Sequence, residues 1–498
     1  MAPSRISTVA IWFLAILSAA ALAGCGGTAT SNPPTPPAPL SAGNVNLIFV
    51  VSEDLSYAAP GDVNLKTANL TNRGLQRSLR MATFLKQSVL GGNNVTIIHV
   101  LTPMTHLQTA NNYPDMVALD TVQQFAMLNE ITLSYENNTP VRANSYPLNV
   151  AYSSARLPDG VAEPLVNCSP LASCQGLDFR DEDGGNEALA SAIIKTGTPG
   201  YYVFSAPWGT VRALIANLNQ LEGYALAVPT SYAGPNYIYA ISIAPSGAAS
   251  LITYDSGVNP SSTYPLLPAG AIVSAPCLPV TTHGGFHIVV TGGAGGAVVP
   301  AGINTNETVY LVRHAEAHPV DWWEDGNYIG SGQWRALDLP NALRGKIYPD
   351  RVLSIDPAQV TPGSTSAQGD AYSYVRTNAT VLPYAIANNL PYQLAANFEL
   401  LAQNPPQQLA TQASTFLFFG GQFSNKRLLV GWEHDHIPPT VNALLQTYHG
   451  GQTAPNWPDD DFDTVWTVKL DEAGNLSVDN ATCEGIKSST LPATPPQF

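Results

Sequence analysis

Short apolar runs rich in β-favouring residues alternate with longer stretches of helical periodicity along most of the chain. In the first half the order is NLIFVVSED, LTNRGLQRSLRMATFLK, VTIIHVLTPMTHLQTA, GYYVFSAPWGTVRALIANL and NYIYAISIAPSGAASLITYD. The second half echoes it with TVYLVRHAE, SGQWRALDLPNALRGK, RVLSIDPAQ followed by YSYVRTNAT, RLLVGWEHDHIPPTVNALL and DTVWTVKLDEAGNLSVDN. Each half opens on an apolar strand with a polar end and passes through strand, turn and helix. Each closes on a hairpin with glycine at its tight turn. Strands alternating with helical stretches predict two tandem α/β domains with mostly parallel sheets. The implied boundaries are 45–275 for the first domain and 307–490 for the second. Between them, 276–306 contains HGGFHIVVTGGAGGAVVPAGIN, which lacks both the Gly-Lys-Ser/Thr ending and the G-x-G-x-x-G spacing of phosphate-cradling loops. It is expected to be a connector or an edge strand, with His283 and His287 serving structure.

At the N-terminus, Arg5 precedes an apolar run from Ile6 through Leu22 that ends in Leu22-Ala23-Gly24-Cys25. Such a run serves as an export signal or an anchor. Its ending resembles the lipobox of bacterial lipoproteins, where the Cys is lipidated and becomes the mature N-terminus. Residues 1–25 are therefore expected to be a lipoprotein signal with Cys25 as the lipidated residue. The next stretch, 26–44, is a Gly/Ser/Thr/Pro tether that cannot build a core. An exported cell-envelope protein that meets the membrane through its lipid alone is the expectation.

Composition fits that setting. A chain of 498 residues exceeds one ordinary core, so more than one domain is expected. Only 11% of residues are charged, and the net charge of −15 argues against nucleic acid as a partner, because phosphates demand a basic face. Four cysteines remain besides Cys25, and an oxidising compartment permits their pairing. Cys168 with Cys174 would close a small loop, and Cys277 with Cys483 would tie the middle of the chain to its end. No CxxC pair or Cys/His spacing suggests zinc.

The candidate chemistry lies in the second half. Arg313 and His314 end its first strand, Arg376 follows the strand Tyr372-Ser373-Tyr374-Val375, and His434 follows Leu429-Val430-Gly431-Trp432-Glu433. In an open α/β sheet such strand ends converge on one crevice. Two guanidiniums and two imidazoles there would suit a dianion, since the planar fork of Arg donates parallel hydrogen bonds to phosphate. An imidazole nitrogen can attack phosphorus and form a phosphohistidine that water cleaves, with the arginines stabilising the equatorial oxygens. This chemistry needs neither metal nor cofactor, only a carboxylic acid to protonate the leaving alkoxide.

With these residues the second half resembles the histidine phosphatase superfamily, also called phosphoglycerate mutase-like, across roughly residues 307–484. Arg313-His314-Ala315-Glu316 stands for its Arg-His-Gly signature, Arg376 for the Arg before its helix, and His434 for the His after its late strand. The resemblance implies a three-layer α/β/α fold, His314 as nucleophile, and Arg313, Arg376 and His434 as the phosphate pocket. It also implies a small phosphorylated substrate. Ala315 replaces the family's Gly, and Ala317 stands where acid-phosphatase members carry another Arg, with His318-Pro319 after it. Two carboxylates compete as general acid. Asp435 resembles the His-Asp pair of phytase-like members and is favoured, Glu399 sits where mutase-like members keep their acid, and Glu433 is a weaker third choice. His436 is expected to be structural, and a metal role for Glu433-His434-Asp435-His436 is disfavoured.

The first half resembles that family in outline only. Ser52-Glu53 replaces Arg-His, Thr105 or His106 stands where the second Arg should, and Ser205-Ala206-Pro207-Trp208 has no His. A degenerate copy of the domain is expected there. The whole is expected to be a phosphomonoester hydrolase; the alternative is a non-catalytic surface lipoprotein that binds a phospho-ligand.

Overall fold

The strand beginning at Val45 is buried along its whole length, as a central strand with helices on both faces must be. This computed structural model describes the chain from residue 36 onward except 130–133, 137–138, 142–147, 151–175, 269, 273–276, 278–283, 318–325, 359, 362–371 and 396–406. Cys25, the apolar run before it, Cys168, Cys174 and Glu399 lie outside the described residues.

In the first half, β1 (Val45–Ser52), α1 (Asn72–Phe84), β2 (Ile97–Val100), α2 (Val117–Met127) and β3 (Leu148–Val150) follow one another. Then come α3 (Gly185–Thr196), β4 (Gly200–Pro207), α4 (Trp208–Leu221) and the hairpin β5 (Tyr237–Ile243) and β6 (Ala249–Asp255). Their sheet runs β6-β5-β1-β4-β2-β3. The strands β1, β4, β2 and β3 are parallel, while β5 and β6 return antiparallel.

An edge strand β7 (His287–Val290) precedes the second half. That half runs β8 (Glu307–Arg313), α5 (Gly330–Ala342), β9 (Arg351–Ser354), α6 (Arg376–Asn388) and β10 (Tyr392–Leu394). It continues with α7 (Gln407–Phe418), β11 (Arg427–Trp432), α8 (Ile437–Thr447), β12 (Thr464–Leu470) and β13 (Leu476–Cys483). The sheet order is β7-β13-β12-β8-β11-β9-β10. Its parallel part, β8-β11-β9-β10, and its antiparallel hairpin, β12-β13, reproduce the first sheet strand for strand. The segment 276–306 thus supplies the extra edge strand, pairing β7 with β13. Both hairpins turn through a glycine with positive φ, Gly247 at 84° and Gly474 at 77°, where a side chain would be strained.

Alternation along β8 gives the layers. Val309 and Leu311 pack with α7 and α8, whereas Val312 points to the other face with Leu337, Val381 and Leu382 of α5 and α6. This is an α/β/α arrangement. The apolar cluster on the α5/α6 face continues into Leu79 and Val122 of α1 and α2, so the two sheets share buried surface within one compact unit, Ala38–Phe498. Side-chain hydrogen bonds cross the same seam, from Gln123 Nε2 to Asn327 Oδ1 at 2.9 Å and from Gln333 Nε2 to Gln124 Oε1 at 2.9 Å. Cys277 is disulfide-bonded to Cys483 at the end of β13.

Candidate active site

β8 and β11 are parallel with Arg313 opposite Trp432, so the next residues, His314 and Glu433, leave the sheet side by side. His314 is almost wholly buried. Its Nδ1 lies 2.7 Å from the Ala315 carbonyl oxygen, and its Nε2 lies 3.0 Å from Glu433 Oε1. A carbonyl only accepts, so Nδ1 carries a proton and Nε2 is the free ring nitrogen. Two bare acceptors repel at 3.0 Å, so this contact closes fully only when a second proton sits between Nε2 and Oε1. Burial first, and the Arg376 charge second, push the His314 imidazole below its ordinary value against the pull of Glu433.

Glu433 gathers the rest of the site. Its Oε1 also accepts from the Tyr374 hydroxyl and lies 3.5 Å from Arg376 Nη2, while its Oε2 lies 3.0 Å from His434 Nδ1. Burial alone would raise this carboxyl, but His314, His434 and Arg376 hold it well below the usual carboxylate range. Arg376 opens α6 with its guanidinium carbon 4.2 Å from the centre of the Tyr374 ring. Thr380, one turn further along α6, accepts from the Ala315 N–H at 2.8 Å and donates to the Arg376 carbonyl at 2.7 Å. One hydroxyl thereby ties the turn after β8 to the first turn of α6.

Arg313 is held from the other side. Its Nη1 donates to the Asp459 carbonyl at 2.5 Å and more weakly to the Asp461 carbonyl at 3.4 Å, and it stacks 3.9 Å over the Phe462 ring. Its Nε is buried with no hydrogen-bond partner among the described residues. Trp457 stacks on Trp466 in the core and donates to the Asp461 carbonyl, fixing this loop.

Arg313, His314, Arg376 and His434 are therefore brought together at the carboxyl ends of the parallel strands. Asp435 sits at the rim, 43% exposed, with Oδ1 3.6 Å from His434 Nε2. His436 is buried beside the Trp432 ring. Ligand atoms of His314, Glu433 and His434 fall within 4.8 Å of one another, a spacing that a divalent cation could use. Two guanidiniums outweigh the one Glu433 carboxylate, so the local field is positive and favours an anion instead. Tyr374, Thr380 and Phe462 are site residues that strand-end reasoning passes over. The only signal for Tyr374 is its position two residues before Arg376.

A scan against protein-family models found no match, and neither did a search of curated proteins. Solved structures do resemble parts of the chain. A phosphoglycerate mutase from Plasmodium falciparum is 14% identical over 39% of this chain and 99% of its own, with a TM-score of 0.23. A mycobacterial glucosyl-3-phosphoglycerate phosphatase is 12% identical over 35% of this chain and 97% of its own, with a TM-score of 0.22. A putative phosphohistidine phosphatase from Agrobacterium tumefaciens is 18% identical over 33% of this chain and 91% of its own, with a TM-score of 0.20. Likeness at this level assigns neither a family nor an activity to the chain.

The corresponding place in the first half is differently built. Ser52 pairs with Pro207, so Glu53 stands where His314 does and Trp208 where Glu433 does. The helix matching α6 starts at Val117, not near Thr105 or His106. Glu53 is buried 3.8 Å from Arg77, which in turn donates to Asp62 at 2.5 Å. Burial pushes the Glu53 carboxyl up to about 8. What remains is an internal ion cluster around a cavity of about 10 Å³, room for no more than one water.

Proposed function

We propose that the chain is a phosphomonoester hydrolase that works through a phosphohistidine on His314, exported and lipid-anchored at Cys25. The observation that carries the reading is the single anion position bounded by His314 Nε2, Arg376 Nη2 and His434 Nδ1, with Nδ1 of the nucleophile fixed by a carbonyl. In this reading His314 Nε2 attacks phosphorus and the P–O bond to the leaving oxygen breaks, its electron pair going to that oxygen. Asp435 at the rim supplies the proton. Water, giving a proton back to Asp435, then attacks phosphorus, and the P–N bond breaks to restore His314. Arg313, Arg376 and His434 stabilise the charge on the equatorial oxygens. Glu399 remains the second candidate acid. The substrate class is a small phosphorylated molecule. Export and anchoring rest on the lipobox-like Leu22-Ala23-Gly24-Cys25 and the tether after it.

A second reading, a non-catalytic phospho-ligand binder, draws support from the contact between Glu433 and the nucleophilic nitrogen. Hydrolysis of an aryl phosphate from acidic to neutral pH, with chelator present, separates the two. Wild-type protein should turn over and His314→Ala should not. Asp435→Asn should lose most on esters with poor leaving groups, typically ~10²–10⁴-fold for a lost general acid. An inactive wild type on every phosphomonoester tried rejects the hydrolase, and a fully active His314→Ala rejects the nucleophile.

A further inference from the structure

We infer that Glu433 is a built-in substitute for the substrate's phosphoryl group, seated in the anion position of the empty pocket and displaced from it when substrate binds. The inference rests on the hydrolase reading and deepens it. Three of the four groups assigned to the phosphate already touch this one carboxylate: His314 Nε2 at 3.0 Å, Arg376 Nη2 at 3.5 Å and His434 Nδ1 at 3.0 Å. The Tyr374 hydroxyl donates to it as well. A carboxylate and a phosphate dianion cannot share that space, for reasons of both volume and like charge.

Two further features fit a seat made for something larger than a carboxylate. Arg313 is buried next to the cluster, yet its guanidinium reaches loop carbonyls instead of Glu433 and leaves Nε without a partner among the described residues. A phosphoryl group offers three oxygens where the carboxylate offers two, so one donor is left over. The proton bookkeeping also closes. The contact between His314 Nε2 and Glu433 Oε1 at 3.0 Å closes fully when one proton sits between them. When Glu433 swings out as a carboxylate that proton passes to solvent, and Nε2 is left with the lone pair that attack on phosphorus requires. The cap therefore masks the nucleophile and fills its binding site in one contact. Apparent affinity for any phosphate is lowered by the fraction of molecules that are open.

Titration calorimetry with inorganic phosphate on the full chain tests this, using wild type, the isosteric Glu433→Gln and the truncated Glu433→Ala. Both variants should bind phosphate more tightly, Glu433→Ala by roughly 10-fold or more, since each removes a like charge from the seat. Equal or weaker binding in both variants, or no binding in any of the three, overturns the inference. Aryl phosphate hydrolysis on the same preparations keeps the two claims apart. Turnover by wild type without tighter binding in the variants sinks the cap and leaves the hydrolase standing. Tighter binding with no turnover in any protein sinks the hydrolase and leaves the cap.

Discussion

An alanine at position 431 would push α6 off its sheet. Gly431 is the fifth residue of β11, and a Cβ there would lie 2.7 Å and 2.9 Å from the two γ-methyls of Val381 and 3.1 Å from the Thr377 carbonyl oxygen. Carbon atoms in contact normally stay about 3.5–4.0 Å apart. Relief therefore needs a shift of roughly 0.5–1 Å. Val381 cannot rotate clear, because both its methyls are struck and a β-branched side chain in a helix has one strongly preferred rotamer. The Thr377 oxygen is backbone. The helix itself must move, and Arg376 is the residue next to Thr377 at its start.

Overpacking of this kind costs about 1–3 kcal/mol. At about 2–4 °C per kcal/mol for large domains, Tm should fall by roughly 2–12 °C. Misplacement of about 1 Å at a reacting centre can cost up to ~10²-fold in rate, so kcat/KM for an aryl phosphate should fall at least several-fold. Calorimetry and steady-state kinetics on Gly431→Ala measure both. Gly209→Ala is the control, because a Cβ there meets nothing within 4 Å. If Gly431→Ala melts and turns over like wild type, α6 is not seated on that glycine and the reasoning fails.

Two other outcomes concern a buried ion network and the N-terminus. Arg335 is fully buried, its fork bonded to Glu316 at 2.7–3.0 Å and to Glu484 at 2.5 Å, with Asp463 at 3.7 Å. Arg335→Met should cost about 3–5 kcal/mol in urea unfolding by stranding those carboxylates, and a loss under about 1 kcal/mol would refute a structural role for the network. For the N-terminus, mass spectrometry of the protein from its native host should find a diacylated or triacylated Cys25 as the first residue; an unmodified Cys25 removes the anchor.

Much of this architecture is legible in the letters. Apolar runs that break at Arg313-His314, Ser52-Glu53 and Glu433-His434 mark strand ends, and the doubled order of runs foretells the doubled sheet. The registers are less accessible. Trp432-Glu433-His434-Asp435-His436 offers four polar residues in a row, and which one faces His314 depends on the Arg313–Trp432 pairing, which no local pattern specifies. That is why Glu433 reads as a minor candidate in sequence and stands at the centre of the structure. The same holds for Thr380 and Phe462, whose roles arise only from tertiary approach. His436 and Trp457 fall to the core, as apolar surroundings more often dictate.

The first half lacks the cations, yet it reaches the site through the shared seam. Gln123 on α2 donates to Asn327, and Gln333 on α5 donates to Gln124, whose own amide donates to the Pro496 carbonyl at 2.5 Å. Asn327 follows Gly326, whose carbonyl accepts the N–H groups of both Val375 and Arg376, at 2.8 Å and 2.9 Å. The backbone at the start of α6 is thus hung from a loop that the other half braces. Placing a guanidinium against an anion demands tolerances well under an ångström, which isolated loops rarely supply. The first half, with a buried Glu53–Arg77–Asp62 cluster at the matching strand end, can still help fix Arg376 in the second half, through α2 and Gln123.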